Sequence, residues 1–187
     1  MPAMTDPHFS KTVIYICTHN QDGAMGVIIN RPSDITVAKL FEQVKLETEL
    51  LSLLAKPLHF GGPVQTERGF ILHTILPDAH DEFNATVIIN NAVALTTSKD
   101  ILEAVAENEA NKNNVPSKML IALGYAGWTA GQLEVEMAQN AWLSLKTSLA
   151  EEAHALIFDA PNYDKFDLAM GMMGLTIGNL SQQAGHA

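Results

Sequence analysis

Two residues near the start of the chain have the types and the spacing for nucleophilic chemistry. Cys17 and His19 lie in the run Thr12-Val-Ile-Tyr-Ile-Cys-Thr-His-Asn20, which is β-branched and aromatic as strands are. On a strand, residues two apart share a face at about 7 Å, so both side chains point the same way where the strand meets the turn Asn20-Gln21-Asp22-Gly23. An imidazolium beside a thiol favours the reactive thiolate. The pair would then serve redox sensing, acylation or nucleophilic catalysis. The plainer alternative is a buried structural cysteine with a surface histidine beside it, since free cysteine is among the most buried residue types. No histidine, asparagine or aspartate elsewhere is identifiable as a third catalytic member.

Anion recognition is the second candidate chemistry. Arg31 and Arg68 are the only arginines, and both lie among turn residues: Asn30-Arg31-Pro32 and Gly61-Gly62-Pro63 through Arg68-Gly69. The guanidinium fork suits a carboxylate or phosphate; the alternative is a structural ion pair. Asn20, Asn30, Gly61 and Gly62 belong to the same candidate surface. The stretch Gly124-Tyr-Ala-Gly-Trp-Thr-Ala-Gly131 reads as a glycine-rich loop joining a strand to a helix. A helix N-terminus can hold an anion, but neither nucleotide fingerprint is present, and Glu134 and Glu136 would repel a phosphate. Tyr125 and Trp128 either fill a core edge or offer a ring for stacking. There is no C-x-x-C or H-E-x-x-H, so no metal and no cofactor is expected. His73 reads as a hydrogen-bonded strand residue, His80-Asp81-Glu82 as a polar loop, and Met170, Met172 and Met173 as core filler.

These residues must be positioned by a mixture of strands and helices. Thr12–Cys17 and Ala24–Asn30 read as a hairpin that Arg31-Pro32-Ser33 stops. The first strand is apolar on both faces, so it is expected to sit centrally. Val37, Leu40, Phe41 and Val44 follow helical spacing, capped by Asp34 or Thr36, and Leu50–Leu54 suggests a second helix. Strands are expected at Leu58–Phe60, Gly69–Thr74, Thr86–Ile89, Ala92–Thr96 and Lys118–Leu123, with short ones at Trp142–Leu145 and Ala155–Phe158. Helices are expected from Ser98 to about Ala110, from the capping box Thr129-Ala-Gly-Gln132 to about Asn140, and after Asn162 until Gly174. The tetrapeptide Val27–Asn30 recurs as Val87–Asn90, which two ordinary buried strands explain better than a duplication. Strands and helices do not alternate strictly, which favours α+β over a doubly wound sheet.

Composition sets the outer bounds. The chain has 187 residues, 47% of them hydrophobic, and reads as one domain over residues 1–187. Acidic residues number 21 against 11 basic, a net charge of −10, which disfavours nucleic acid or an anionic membrane. A single cysteine excludes an intrachain disulfide and fits a reducing, cytoplasmic setting. The apolar runs are far shorter than the ~20 residues of a membrane span, and Met1–Phe9 lacks signal-peptide character.

Several stretches together resemble the YqgE/AlgH family of bacterial proteins. They are Met1–Phe9, Thr12–Asn20, Gly23–Pro32, Gly61–Val64 to Arg68–Phe70, Ala122–Trp128, Gly131–Glu134, Asn140–Leu143 and Gly185–Ala187. The resemblance implies a compact α+β domain of coiled, packed, mixed or antiparallel sheets flanked by helices. It also implies a function largely unassigned, with a transcriptional-regulator label on some members. Family members usually carry a further apolar segment ahead of the Met-Pro-x-Met stretch, so an N-terminal strand is expected to be missing here, and Ser148–His154 departs from the usual pattern. The expectation is a cytosolic, non-enzymatic binding or regulatory protein taking a protein partner or a small anion. A Cys17/His19 thiol enzyme or sensor is the alternative. A regulator without a classical DNA-binding motif comes third.

Overall fold

The structure is a computed structural model that describes residues 6–75, 83–107, 115–147 and 149–176. His80-Asp81-Glu82, Ser148, the first five residues and Gly185–Ala187 lie outside the described residues. The strands are β1 (Ile14–Asn20), β2 (Gly23–Ile28), β3 (Pro32–Thr36), β4 (Pro57–Phe60), β5 (Val64–Thr74), β6 (Thr86–Ile88), β7 (Val93–Thr96) and β8 (Met119–Thr129). The helices are α1 (Val37–Val44), α2 (Leu51–Leu54), α3 (Asp100–Glu107), α4 (Gln132–Ala138), α5 (Ala150–Phe158) and α6 (Lys165–Met172). This is the α+β architecture that the order of elements implies.

One curled sheet carries the order β1-β2-β8-β5-β7-β6, and β4 joins it by pairing parallel with β8 and antiparallel with β3. Its other pairings are antiparallel. β8 is the hub. Its first half pairs with β4 on one side and β5 on the other, and its second half pairs with β2. Period-2 alternation divides these central strands between two cores. Phe70, Leu72, Leu120 and Ala122 face Leu156, Ile157 and Ala169 of α5 and α6. Ile71 and Ile121 face Val37, Phe41, Leu53, Ile101 and Val105 of α1, α2 and α3. α1 buries Val37 and Phe41, as the spacing requires. Its first amide is satisfied by the backbone, Val37 N–H donating to the Lys56 carbonyl at 2.9 Å, while Thr36 makes no side-chain cap. Gly174 ends the last helix at φ 70°, with Leu175 N–H returning to the Met170 carbonyl.

The structure departs from six expectations. β1 is not central but terminal in the sheet. Its second apolar face is only half covered: Ile14 packs on the Trp128–Trp142 cluster, whereas Ile16 stays exposed in an apolar cleft of about 290 Å³ beside Met137, Trp142 and Leu143. Arg31-Pro32-Ser33 is no stop, because Pro32 opens β3; proline is tolerated as a first strand residue. Gly124–Ala130 is not a loop, since β8 runs on to Thr129. Trp142–Leu145 forms no strand, and Ala155–Phe158 is the last half of α5. Finally, the recurring tetrapeptide has one buried copy and one exposed copy. Val27 and Ile28 are fully buried, whereas Val87 and Ile88 lie exposed on β6 at the far end of the sheet.

Candidate functional site

Cys17 and His19 are separated by their surroundings. The β1–β2 register slips between Ile16 and Thr18, leaving Cys17 as the extra residue of a bulge. Its side chain, 6% exposed, packs in the core with Val27, Ile29 and Phe70. Burial pushes the thiol up to about 12, only partly opposed by a hydrogen bond from the Val27 backbone. His19 is half exposed and sits 2.5 Å from the Glu134 carboxylate. An environment that raises a thiol's pKa makes it inert. Native Cys17 is therefore expected to resist iodoacetamide near neutral pH and to react at an ordinary rate only in denaturant. Mass spectrometry of native and urea-treated samples checks this, and fast native labelling would overturn it.

Asn30 and Arg31 hold the chain together locally. Val13 N–H donates to Asn30 Oδ1 and Asn30 Nδ2 to the Lys11 carbonyl, both at 2.9 Å. Arg31 Nη2 donates to the Ser10 carbonyl at 2.7 Å. Gly61 and Gly62 are packing residues: Gly61 N–H donates to the Leu123 carbonyl and its own carbonyl accepts from Ile28 N–H, so the corner is wedged between β2 and β8.

The remaining sequence candidates do converge. Asn20, Arg68, Tyr125 and Trp128 line one open groove with Thr18, Gln65, Thr97 and Gln132. Arg68 lies where β5 leaves register with β8 between Val64 and Gly69. Its Nη2 donates to Thr97 Oγ1 at 3.1 Å and its guanidinium lies 5.9 Å from the Phe70 ring centre. No carboxylate pairs with it among the described residues. Tyr125 packs on Phe70 at 5.1 Å between ring centres. Trp128 is mostly buried edge-on to Trp142. Both indoles donate to Glu136 Oε2, at 2.9 and 2.7 Å, and Gln132 Nε2 donates to Oε1 at 2.8 Å. Burial raises that carboxyl, but the three donors outweigh it and hold Glu136 below its usual range. His73 is hydrogen-bonded on the strand as read, to Thr96 Oγ1 and the Thr74 carbonyl.

A second concavity was not singled out in the sequence. Between β4, the start of β8 and the α5–α6 corner lies a cavity of about 220 Å³ holding His59, Asn162 and Lys165. Pro161, four residues after Ile157, has no N–H to continue the helical ladder. The Ile157 carbonyl is instead met by Lys165 Nζ at 2.8 Å, and the same amine donates to the Ile29 carbonyl at 2.8 Å. Lys165 is 2% exposed, and burial pushes its ammonium down to about 8. His59, 7% exposed, shares a hydrogen bond of 3.1 Å between Nε2 and Asn162 Oδ1. Its buried Nδ1 has no hydrogen-bond partner. Burial lowers the imidazole pKa and Lys165 lowers it further, while Asn162 and the Ile121 backbone partly restore it. The available signal was Lys165 itself, one turn before Ala169 on an apolar helical stripe. Among the described residues, no group of three or more His, Cys, Asp or Glu could hold a metal, and no helix is long and apolar enough to cross a membrane.

These features define an α+β protein with a curled, mostly antiparallel sheet and two polar concavities set along one long strand, β8. The AlgH-like family model matches residues 1–178. The UPF0301 protein of Azoarcus sp. is 46% identical over all of this chain and 92% of its own. A UPF0301 protein of Burkholderia thailandensis is 44% identical over all of this chain and 91% of its own. The solution structure of the AlgH protein from Pseudomonas aeruginosa superposes with a TM-score of 0.74 at 40% identity, covering 100% of this chain and 92% of that one. A Corynebacterium diphtheriae protein, at 20% identity and a TM-score of 0.64 over 90% of this chain and 81% of its own, shares the fold. The chain belongs to the AlgH-like family.

Proposed function

We propose that this is a non-enzymatic binding protein of the cytoplasm whose recognition face is the groove around Arg68. The observation that carries this reading is an exposed guanidinium with one neutral hydrogen-bond partner, set in a groove whose polar side chains are mainly amides and hydroxyls (Asn20, Gln65, Thr97, Gln132), with one carboxylate, Asp22, which forms no ion pair with Arg68. In a chain of net charge −10, a free arginine is a rare positive point. It suits one carboxylate of an acidic, extended segment of a partner protein. The groove is wide and open, which favours a peptide segment over an enclosed small molecule. The inert setting of Cys17 argues against the thiol-enzyme alternative.

A short glutamate-rich peptide titrated into labelled protein is expected to shift the amides of Thr18, Arg68, Thr97 and Gln132, and Arg68→Glu is expected to abolish the shifts while leaving the thermal midpoint near that of the parent. Shifts elsewhere, or shifts that survive Arg68→Glu, would overturn the reading.

A further inference from the structure

The cavity at His59, Asn162 and Lys165 is independent of the Arg68 groove, and its lining has a one-sided charge. Lys56, His59 and Lys165 are its ionisable residues, and none of the residues that line it is acidic, although acidic residues outnumber basic ones 21 to 11 in the chain. The nearest acids in sequence are committed elsewhere or lie outside the lining. Asp159, at the end of α5, is paired with Lys118 and faces His154, and Asp164 precedes Lys165 as the N-cap of α6. The rest of the wall is apolar, with Val37, Leu53, Met119, Ile157 and Phe158.

Two polar groups of the lining lack a full set of partners. Lys165 spends two of its three ammonium protons on the Ile29 and Ile157 carbonyls and has no carboxylate counter-ion among the described residues. The imidazole of His59 holds Asn162 through Nε2 and has a buried Nδ1 without a hydrogen-bond partner, although the Ile121 backbone favours the protonated ring. A buried polar atom left unmatched is costly, and a buried charge without a counter-ion more so. One small anion would answer both. It would accept the third Lys165 proton and, once His59 takes up a proton, an Nδ1–H as well.

We infer that this cavity is a binding site for a small monocarboxylate with a compact apolar body, its carboxylate held by Lys165 and His59 and its body against Val37, Leu53, Ile157 and Phe158. The cavity is smaller than the ~300–1,000 Å³ of usual ligand pockets, which limits the ligand to about ten non-hydrogen atoms. A phosphate would leave the apolar walls unmatched. Lys56 at the rim adds attraction at the entrance.

Anion binding at this cavity is also linked to protonation. Lys165 begins to lose its proton near pH 8 in the free protein, and an anion against it restores that proton. Binding near neutral pH therefore takes up a proton at His59, binding above about pH 8 takes up a further one at Lys165, and affinity weakens as pH rises.

The test uses the unmutated protein with isovalerate and benzoate, against isovaleramide and benzamide as uncharged matches. The carboxylates are expected to move the His59 ring and Lys165 side-chain NMR signals saturably. They should bind about tenfold or more tightly than the amides, the margin of a charge-assisted hydrogen bond. Calorimetry at about pH 8.5 in buffers of different ionisation enthalpy should register proton uptake. Lys56→Gln should weaken binding about twofold, as a rim charge does, without changing the thermal midpoint. Lys165→Met should abolish it, though that variant also loses a helix cap, so the acid-against-amide comparison decides. Absence of any saturable shift at both residues, equal affinity of acid and amide, or affinity constant from pH 7 to pH 10 would each overturn the inference.

Discussion

Gly62→Ala is expected to lose at least about 4 kcal/mol of stability, a fall in thermal midpoint of roughly 8–16 °C for a chain this size. Gly62 has φ 150°, a region that side chains rarely enter, and a Cβ there would lie 2.1 Å from the Tyr125 carbonyl carbon, 2.2 Å from its oxygen and 2.4 Å from Ala126 N. All three are backbone atoms of β8, so relief requires moving the strand that β2, β4 and β5 share. Because typical domains are stable by only ~5–15 kcal/mol, such a loss removes about a quarter or more of the margin. Gly69→Ala is the matched control. It lies on β5 with no atom within 4 Å of a built Cβ and no positive φ, and alanine there should be neutral or stabilising by up to ~1 kcal/mol. Circular dichroism melts of the two variants check the pair. A soluble Gly62→Ala protein melting with the parent would mean that the corner is not packed as described.

Lys165→Met should separate the parent and variant stability curves by about 3 kcal/mol between pH 7.5 and pH 10.5. The direction follows from linkage. The group titrates near 8 when folded and at 10.5 when unfolded. In that window the unfolded chain binds more protons, so parent stability rises with pH. Below about pH 7 both states carry the proton and this group contributes no slope. A difference of 2.5 units at 1.36 kcal/mol each gives the ~3 kcal/mol. Methionine keeps the stem and removes the titration. It also leaves the Ile29 and Ile157 carbonyls without Nζ, at ~1–3 kcal/mol each. Near neutral pH the relief from burying a charge offsets that loss and the variant should differ little from the parent. At high pH the parent has a neutral amine still bridging both carbonyls, and the variant should be several kcal/mol less stable. Urea unfolding across the pH range reads this directly, and parallel curves would contradict it.

How far the sequence reached depended on how local the signal was. The α1 stripe at Val37 and Phe41, the Asn20–Gly23 turn and the Gly174 terminus were legible because each is set by neighbours within one or two turns. α5 was not. Its last four apolar residues read equally as a strand, and short apolar runs do not distinguish the two. The second half of β8 was missed because glycines usually break strands. Here Gly61, Gly62 and Gly124 are what let the corner and β8 approach: a Cβ on Gly61 would lie 2.2 Å from the Gly124 carbonyl oxygen. Of the candidate residues, Asn20, Arg68, Tyr125 and Trp128 share a groove. Asn30 and Arg31 turned out to hold the chain leading into β1.

By itself the sequence determined the α+β class, the family resemblance, the acidic net charge and the scarcity of arginine, because composition, pattern and motif are properties of order along the chain; that Arg68 sits on β5 and not in a loop was decided by strand pairing. Tertiary structure alone decided which groups lose water. It turned the thiol of Cys17 into a core atom. It also brought His59 to Asn162, 103 residues away, and set Lys165 between a strand end and a helix end. Desolvation depends on everything that packs around a group, and for these residues nearly all of it comes from distant parts of the chain.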